Sequence, residues 1–535
     1  MRVNAPVTRR PIRILFSLMH AGYLRHYAEP LRLLAERGHT IQIALGRSDK
    51  DPVDRILVDR LIEGNPNVTV RFGPERSYVD GWRRIAWLVR GLADIARYAH
   101  PRYAHATTLR ARMHTRVVAR IHSSAMEPIS KLIVTRLATR VAAAEGAEAA
   151  ARNGALFARL EEAIPASRRH LALFRSWRPD VVLASPVVEI ASPQVEFVKA
   201  AQRLGIPTGV CVASWDNLTN KGLLRVLPDR VVVWNEIQRT EAVELHGVDP
   251  ADVIVTGAQR FDEWFERTPS TTAAEFAAAT GLPANRPYVL FLGSSLFIAP
   301  DEVSFVRRWV AALRDSGRPE LESVGVLIRP HPQNGTQWVG FEPPDDGVVV
   351  WPPAGAQPDA GEAREVFFDS LAHSAAVVGI NTSALIEAGI LGKSVFTPLD
   401  PQFQGTQEGT LHFHYLLKES GGFLEVARDL ETHVEQLAAG VAGRETDAAQ
   451  TRAFVESFVR PHGFGQPAAV AVADAIEEIA AIGRREPTPR RLRTFLTRGA
   501  LLPFVLGNGA VATVIFAARH LGLRARDADR DESGP

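Results

Sequence analysis

Apolar residues along this chain fall into short uninterrupted blocks, separated by longer stretches in which they recur every third or fourth position. The first block is Ile12-Arg13-Ile14-Leu15-Phe16-Ser17-Leu18, and it predicts a strand. Met19-His20-Ala21-Gly22 follows as a turn. From Leu24 to Arg37 the apolar positions Leu24, Tyr27, Leu31 and Leu34 keep helical spacing, Gly38 stops the helix, and Thr40 to Leu45 is the next strand. A strand-helix-strand opening of this kind predicts a parallel sheet covered by helices on both faces.

Residues 76 to 175 break the rhythm. They are rich in Ala, Arg and Leu, carry little β signal, and read as two or three helices. Strand blocks resume at Pro179 to Ala184, Thr208 to Val212 and Arg230 to Trp234. A second series begins at Tyr288 to Leu292 and continues at Gly325 to Ile328, Ala376 to Gly379 and Ser394 to Thr397. The fold expected is α/β, with two Rossmann-like doubly wound domains and a basic helical insertion in the first. The boundaries expected are 1–256 for the first domain, with the insertion at about 76–178, then 257–485 for the second and 486–535 for a basic and apolar tail. The Pro/Gly-rich stretch from Trp351 to Glu362 reads as a surface loop.

Composition narrows the class. At 535 residues the chain is long enough for two or three domains of roughly 150 residues each. With 46% apolar and 23% charged residues it is a globular chain rather than a disordered one. The single cysteine, Cys211, excludes a disulfide framework and a Cys-rich metal site, and fits a reducing, cytoplasmic setting. The start of the chain is polar and basic and leads into a strand, not a signal peptide. The net charge of +2 conceals an asymmetry: Arg76 to Asp180 holds 19 Lys/Arg against 8 Asp/Glu. Such an excess predicts a polyanionic partner. No nucleic-acid-reading motif accompanies it, so an anionic membrane surface or acidic glycan is expected, and nucleic acid is not.

In doubly wound sheets, ligands bind beyond the carboxyl ends of the strands, so the residues after each strand block carry the candidate chemistry. Ile328-Arg329-Pro330-His331-Pro332 places His331 on a turn made rigid by its two prolines, where the imidazole can donate to a phosphate and Arg329 can add charge. Val378-Gly379-Ile380-Asn381-Thr382-Ser383-Ala384-Leu385-Ile386-Glu387 ends a strand and opens a helix with three small polar residues. Asn381, Thr382 and Ser383 are also ordinary helix caps, but together with His331 they read as a phosphate site that extends to Glu387. Gly293-Ser294-Ser295 is a weaker signal of the same kind.

On the other side, Asp216 follows the strand ending at Val212 and is a candidate base, with Trp215 offering a ring for a sugar to stack on. A loop whose Asp and Asn bond their own backbone reads identically. His20 in the first turn is a further cleft candidate. His412 and His414 stand two apart like a strand-borne metal pair, but no third ligand lies at a fitting spacing, so a pocket wall or plain packing is preferred and no metal or other cofactor is expected.

Taken together, these residues resemble the nucleotide-sugar glycosyltransferases of GT-B fold, in particular bacterial capsule and surface-polysaccharide transferases and CDP-glycerol glycerophosphotransferases. The resemblance covers roughly residues 11 to 480 and rests on His331-Pro332 and Thr382-Ser383. It implies a metal-independent transferase that moves a sugar or polyol phosphate from a nucleotide-activated donor to a glycan or lipid-linked acceptor. Arg329, His331, Asn381, Thr382, Ser383, Glu387, Ser294 and Ser295 would hold the donor, and Asp216 or His20 would serve the acceptor. The sequence departs from the family pattern in lacking a clear acidic motif in the first domain and in carrying the basic insertion. A nucleotide-sugar 2-epimerase of the same fold and an inactive glycan-binding scaffold are the alternatives.

The tail adds one expectation. Gly499 to Ala518 is 20 residues without a charge, preceded by a basic run from Arg484 to Arg493. Pro503 and Gly507-Asn508-Gly509 weaken a spanning helix, so an in-plane amphipathic or re-entrant anchor at the cytoplasmic face, or a helix packed back on the first domain, is expected.

Overall fold

A computed structural model describes residues 10–46, 52–124, 126, 128–284, 286–353, 362–443, 447–486 and 492–520. The loop expected at Trp351 to Glu362 lies largely outside them. The described strands form two sheets, both wholly parallel. The first contains β1 (Arg13–Leu18), β2 (Thr40–Leu45), β3 (Val68–Phe72), β4 (Val181–Ser185), β5 (Thr208–Cys211), β6 (Arg230–Val233) and β7 (Val253–Val255), in the order β3-β2-β1-β4-β5-β6-β7. The second contains β8 (Tyr288–Leu292), β9 (Gly325–Arg329), β10 (Val348–Val350), β11 (Ala376–Gly379), β12 (Val395–Pro398) and β13 (Glu425–Ala427), in the order β10-β9-β8-β11-β12-β13. Each sheet therefore reverses its winding once, between β1 and β4 and between β8 and β11. These are the two switch points at which a crevice opens.

The central strands are covered by helices on both faces, which is why their sequences run apolar without alternation. Phe16 sits in register with Ile43 and Leu183, and Phe291 with Ile328 and Val378, all fully buried.

Among the described residues the insertion contains five α-helices rather than two or three helices: Trp82–Ala96, Thr107–Ser123, Pro128–Ala142, Ala147–Ala163 and Arg168–Trp177. Ala- and Arg-rich sequence blurred the turns between them. Part of its positive charge is internal. Arg90 forks onto Glu161 at 2.9 and 2.8 Å and reaches Glu196 at 2.7 Å, while Arg76 and Lys199 complete a buried network with the same two carboxylates.

After the second sheet the chain returns. Helix Ala468–Ala481, expected in the second domain, packs its Val472, Ile476 and Ile479 into the core of the first. Asp262 caps its start, accepting from the Ala468 and Ala469 N–H groups at 3.0 and 2.7 Å. The terminal helix Leu492–His520 also lies on the first domain, where Thr494 donates to Glu162 at 2.6 Å and the Arg498 Nε donates to the Ala163 carbonyl at 2.8 Å. Among the described residues no helix is long and apolar enough to cross a membrane.

Candidate functional site at the switch point of the second sheet

The loops after β8, β9 and β11 meet at the carboxyl edge of the second sheet. Gly293 is required there by close approach. A Cβ on it would lie 2.7 Å from the His331 nitrogen and 3.0 Å from the Arg329 carbonyl, both backbone atoms that cannot swing away. Ser294 is fully buried and spent on framework: its N–H donates to Glu302 at 2.7 Å, its hydroxyl accepts from the Asn381 N–H at 3.3 Å, and its carbonyl accepts from Asn334 at 3.0 Å. The hydroxyl expected at the donor instead ties the β8 loop to the β11 loop. Burial pushes the Glu302 carboxyl up to about 8, so it is protonated at neutral pH. Ser295 is half-buried, and its carbonyl closes the next turn by accepting from Ile298 and Ala299.

His331 stands at this edge, partly exposed. Its Nδ1 accepts from the Gln333 N–H at 3.1 Å, which leaves the proton on Nε2. Burial, reinforced by the charge of Arg25 from the first domain, pulls the ring down to about 4. At neutral pH it is therefore an uncharged Nε2–H donor. Arg329, one turn earlier, is only 5% exposed, and its Nη1 has no hydrogen-bond partner. Its guanidinium lies 5.0 Å from the centre of the Phe367 ring, and burial lowers it to about 10, still cationic at neutral pH. A buried cation without a carboxylate is costly unless an anion is supplied.

Helix Ala384–Ile390 begins beyond β11 with Ser383 at its N-cap, and the Ser383 side chain makes no capping bond. Thr382 and Ser383 are both partly exposed. Asn381 turns the other way: it is buried and donates to the Thr406 carbonyl at 2.8 Å and the Thr410 hydroxyl at 3.3 Å. It clamps the loop rather than facing the crevice. Glu387 is buried in an ion pair with Arg260, 3.2 Å away, from the segment that links the two domains.

Facing these loops, the first domain presents the turn after β1 and the loop after β5. His20 packs edge-on against Tyr23 at 4.8 Å, and the Arg25 Nε donates to the His26 Nε2 at 3.3 Å. Burial raises the Asp216 carboxyl, but Lys221 and His412 outweigh it and hold the group below the ordinary range, so it is ionised. Trp215 is buried rather than presented to a ligand, and His412 of the second domain meets it edge-to-face at 4.5 Å. His412 and His414 lie on a 3-10 turn, His412–Leu416, not on a strand. The His412 Nε2 approaches Asn220 at 3.5 Å, and His414 bonds the Glu408 carbonyl at 2.7 Å. Among the described residues no group of three or more His, Cys, Asp or Glu is placed to hold a metal ion.

Two contributors escaped sequence reasoning. Arg25 was hidden because it sits inside a helix, although it lies only one turn past the end of the first strand. Glu241, fully buried and pushed up to about 8 by burial, lies near Tyr415 and Arg102, and only the meeting of the two domains brings them together.

The crevice thus lies between two doubly wound parallel sheets whose strand ends face one another. The architecture is GT-B. Solved structures with a similar arrangement include the UDP-GlcNAc 2-epimerase of Methanocaldococcus jannaschii in complex with UDP-GlcNAc and UDP (11% identity, TM-score 0.45, covering 88% of this chain and 100% of that one). A glycosyltransferase from Rickettsia africae gives 10% identity and a TM-score of 0.47, over 88% of this chain and 99% of its own. The calicheamicin glycosyltransferase CalG4 gives 14% and 0.43, over 88% and 99%. The GT-B assignment rests on the strand order of the two sheets, not on these values. No protein-family model and no curated protein sequence matches the chain.

Proposed function

We propose that the protein is a metal-independent transferase that takes a sugar or polyol phosphate from a nucleotide-activated donor. The observation that carries this reading is the set of unspent donors at the second switch point: the Thr382 and Ser383 hydroxyls at a helix start, the His331 Nε2–H, and the buried cation of Arg329 at a neighbouring strand end. Each suits a phosphate oxygen. When the nucleotide leaves, negative charge grows on those oxygens, and fixed donors in a crevice sheltered from water stabilise it with little reorganisation. Ser294, Asn381 and Gly293 hold the loops in place. Asp216, ionised and on the opposite wall, suits an acceptor hydroxyl as base or hydrogen-bond acceptor. The acceptor in this reading is a surface glycan or a lipid-linked sugar, reached from the cytoplasmic face.

The test is a thermal-shift panel of CMP, CDP, UDP, GDP and their sugar or glycerol conjugates on the wild type, Ser383→Ala and His331→Ala. A ligand at 100 times its dissociation constant adds about 2.7 kcal/mol of stability, which a melting curve registers. A shift with one nucleotide family, reduced in both variants, is the expected result. No shift with any nucleotide would sink the reading in favour of a glycan-binding scaffold. A conjugate converted to its C2 epimer without acceptor would replace the transferase with an epimerase.

A further inference from the structure

One side of the helical insertion carries apolar side chains where a water-soluble bundle would carry charge. On helix Pro128–Ala142 the buried positions include Ala138 and Val141, while Ile129 and Ile133 stand 65% and 60% exposed. Its outward positions 129, 132, 133, 136, 137 and 140 read Ile, Leu, Ile, Arg, Leu, Arg. The terminal helix repeats the pattern. Thr494 and Val505 face inward, and Leu492, Leu496, Phe504 and Leu506 are between 64% and 75% exposed. Monomeric proteins rarely leave so many large apolar side chains together in water without a use for them.

Both helices start at the same end of the bundle, and helix Pro128–Ala142 then runs back along helix Thr107–Ser123 until the Arg110 Nε donates to the Ala142 carbonyl at 2.7 Å. Thr494 and Arg498 are held at the carboxyl end of helix Ala147–Ala163, and the Val505 backbone abuts Gly81, just before helix Trp82–Ala96. Pro128 enters close to the carboxyl end of helix Thr107–Ser123, where Lys131 donates to the His122 carbonyl at 2.6 Å. That end of helix Thr107–Ser123 meets the start of helix Trp82–Ala96, where Arg120 lies 6.0 Å from the Trp87 ring centre.

Charge decides what covers this face. The outward side of helix Pro128–Ala142 carries Arg136 and Arg140, and neither this helix nor helix Thr107–Ser123 contains an Asp or Glu. Two copies of a face with this net positive charge repel one another, so a symmetric dimer through it is disfavoured. Apolar side chains standing among arginines, on helices that lie along a surface, suit the boundary of a bilayer with anionic headgroups. We infer that the outward side of helix Pro128–Ala142, together with the terminal helix, docks in the plane of an anionic lipid bilayer.

This surface is argued from exposure and charge alone and stands whether or not the crevice binds a nucleotide.

The experiment is flotation of the full chain with phosphatidylcholine vesicles containing phosphatidylglycerol, and with phosphatidylcholine alone. Paired substitutions Ile133→Asp and Leu496→Asp remove apolar contact, and Arg136→Gln with Arg140→Gln removes charge. The wild type should float with the anionic vesicles and much less with the neutral ones. The Asp pair should cut the bound fraction by about tenfold, and the Gln pair should weaken binding and leave the remainder less sensitive to salt. The substituted positions are exposed, so the melting temperature should be unchanged, and this control separates lost docking from lost fold. Binding unchanged in the Asp pair, or no binding by the wild type, would overturn the inference. A concentration-dependent dimer abolished by the Asp pair would overturn it too, by assigning the face to a second copy.

Discussion

At the scale of residues, Glu302 shows how the crevice is kept in shape by a group that never touches it. Its Oε1 accepts from the Ser294 N–H, and burial holds the carboxyl protonated to about pH 8. An unfolded glutamate loses its proton near pH 4.3, so between those values the native state binds a proton that the unfolded chain releases. The stabilisation is complete below the unfolded value and is lost as pH rises through the folded one, with a slope of up to about 1.4 kcal/mol per pH unit. Glu302→Gln keeps an acceptor for Ser294 and removes the titration. Its melting temperature should fall less than that of the wild type between about pH 5 and pH 9. Parallel curves for the two proteins would mean that Glu302 is already ionised at neutral pH. His331 and Thr382-Ser383 are legible in the sequence because strand, turn and helix signals surround them. The inward roles of Ser294 and Asn381 are not, since a polar residue after a strand reads the same whether it faces a ligand or the next loop.

At the scale of elements, the strands buried on both faces announce themselves by unbroken apolar runs, as at Val181–Ser185 and Tyr288–Leu292. Edge strands such as Val253–Val255, Val348–Val350 and Glu425–Ala427 are three residues long, too short for any period to register. Helix Ala468–Ala481 illustrates a different limit: an apolar stripe says that a helix is covered, not by which sheet. Ile476 is fully buried against the first domain although every strand of the second sheet precedes it in the chain. Ile476→Ala should cost about 2–5 kcal/mol of stability. In hydrogen exchange the loss should be larger at β1 and β4 than at β8 and β11. Loss of protection confined to the second sheet would contradict the packing described.

At the scale of the molecule, the two domains are more than neighbours. One apolar cluster runs from Trp215 and Trp234 in the first domain through Phe261 and Trp264 in the link to Leu290 and Leu292 in the second. The Arg260–Glu387 pair and the His412–Trp215 contact also cross the boundary. Calorimetry should therefore record one unfolding transition rather than two. Two resolved peaks would show that the shared cluster is too weak to couple the halves. This continuity was beyond the sequence reading, which places a boundary at residue 256 where the chain in fact keeps packing.

The returning helix has a consequence for the order in which the protein is made. Synthesis delivers domains from the amino end, and an early domain commonly folds while the rest is still being translated. Here the first sheet emerges long before Val472, Ile476 and Ile479, so one face of its core waits uncovered while the whole second domain is added. A ribosome stalled anywhere between residues 258 and 467 would hold a half-built sandwich with a greasy side open to the cytosol, a natural substrate for a holding chaperone. Translation of Ala468 to Ala481 is what turns the first sheet into a finished fold.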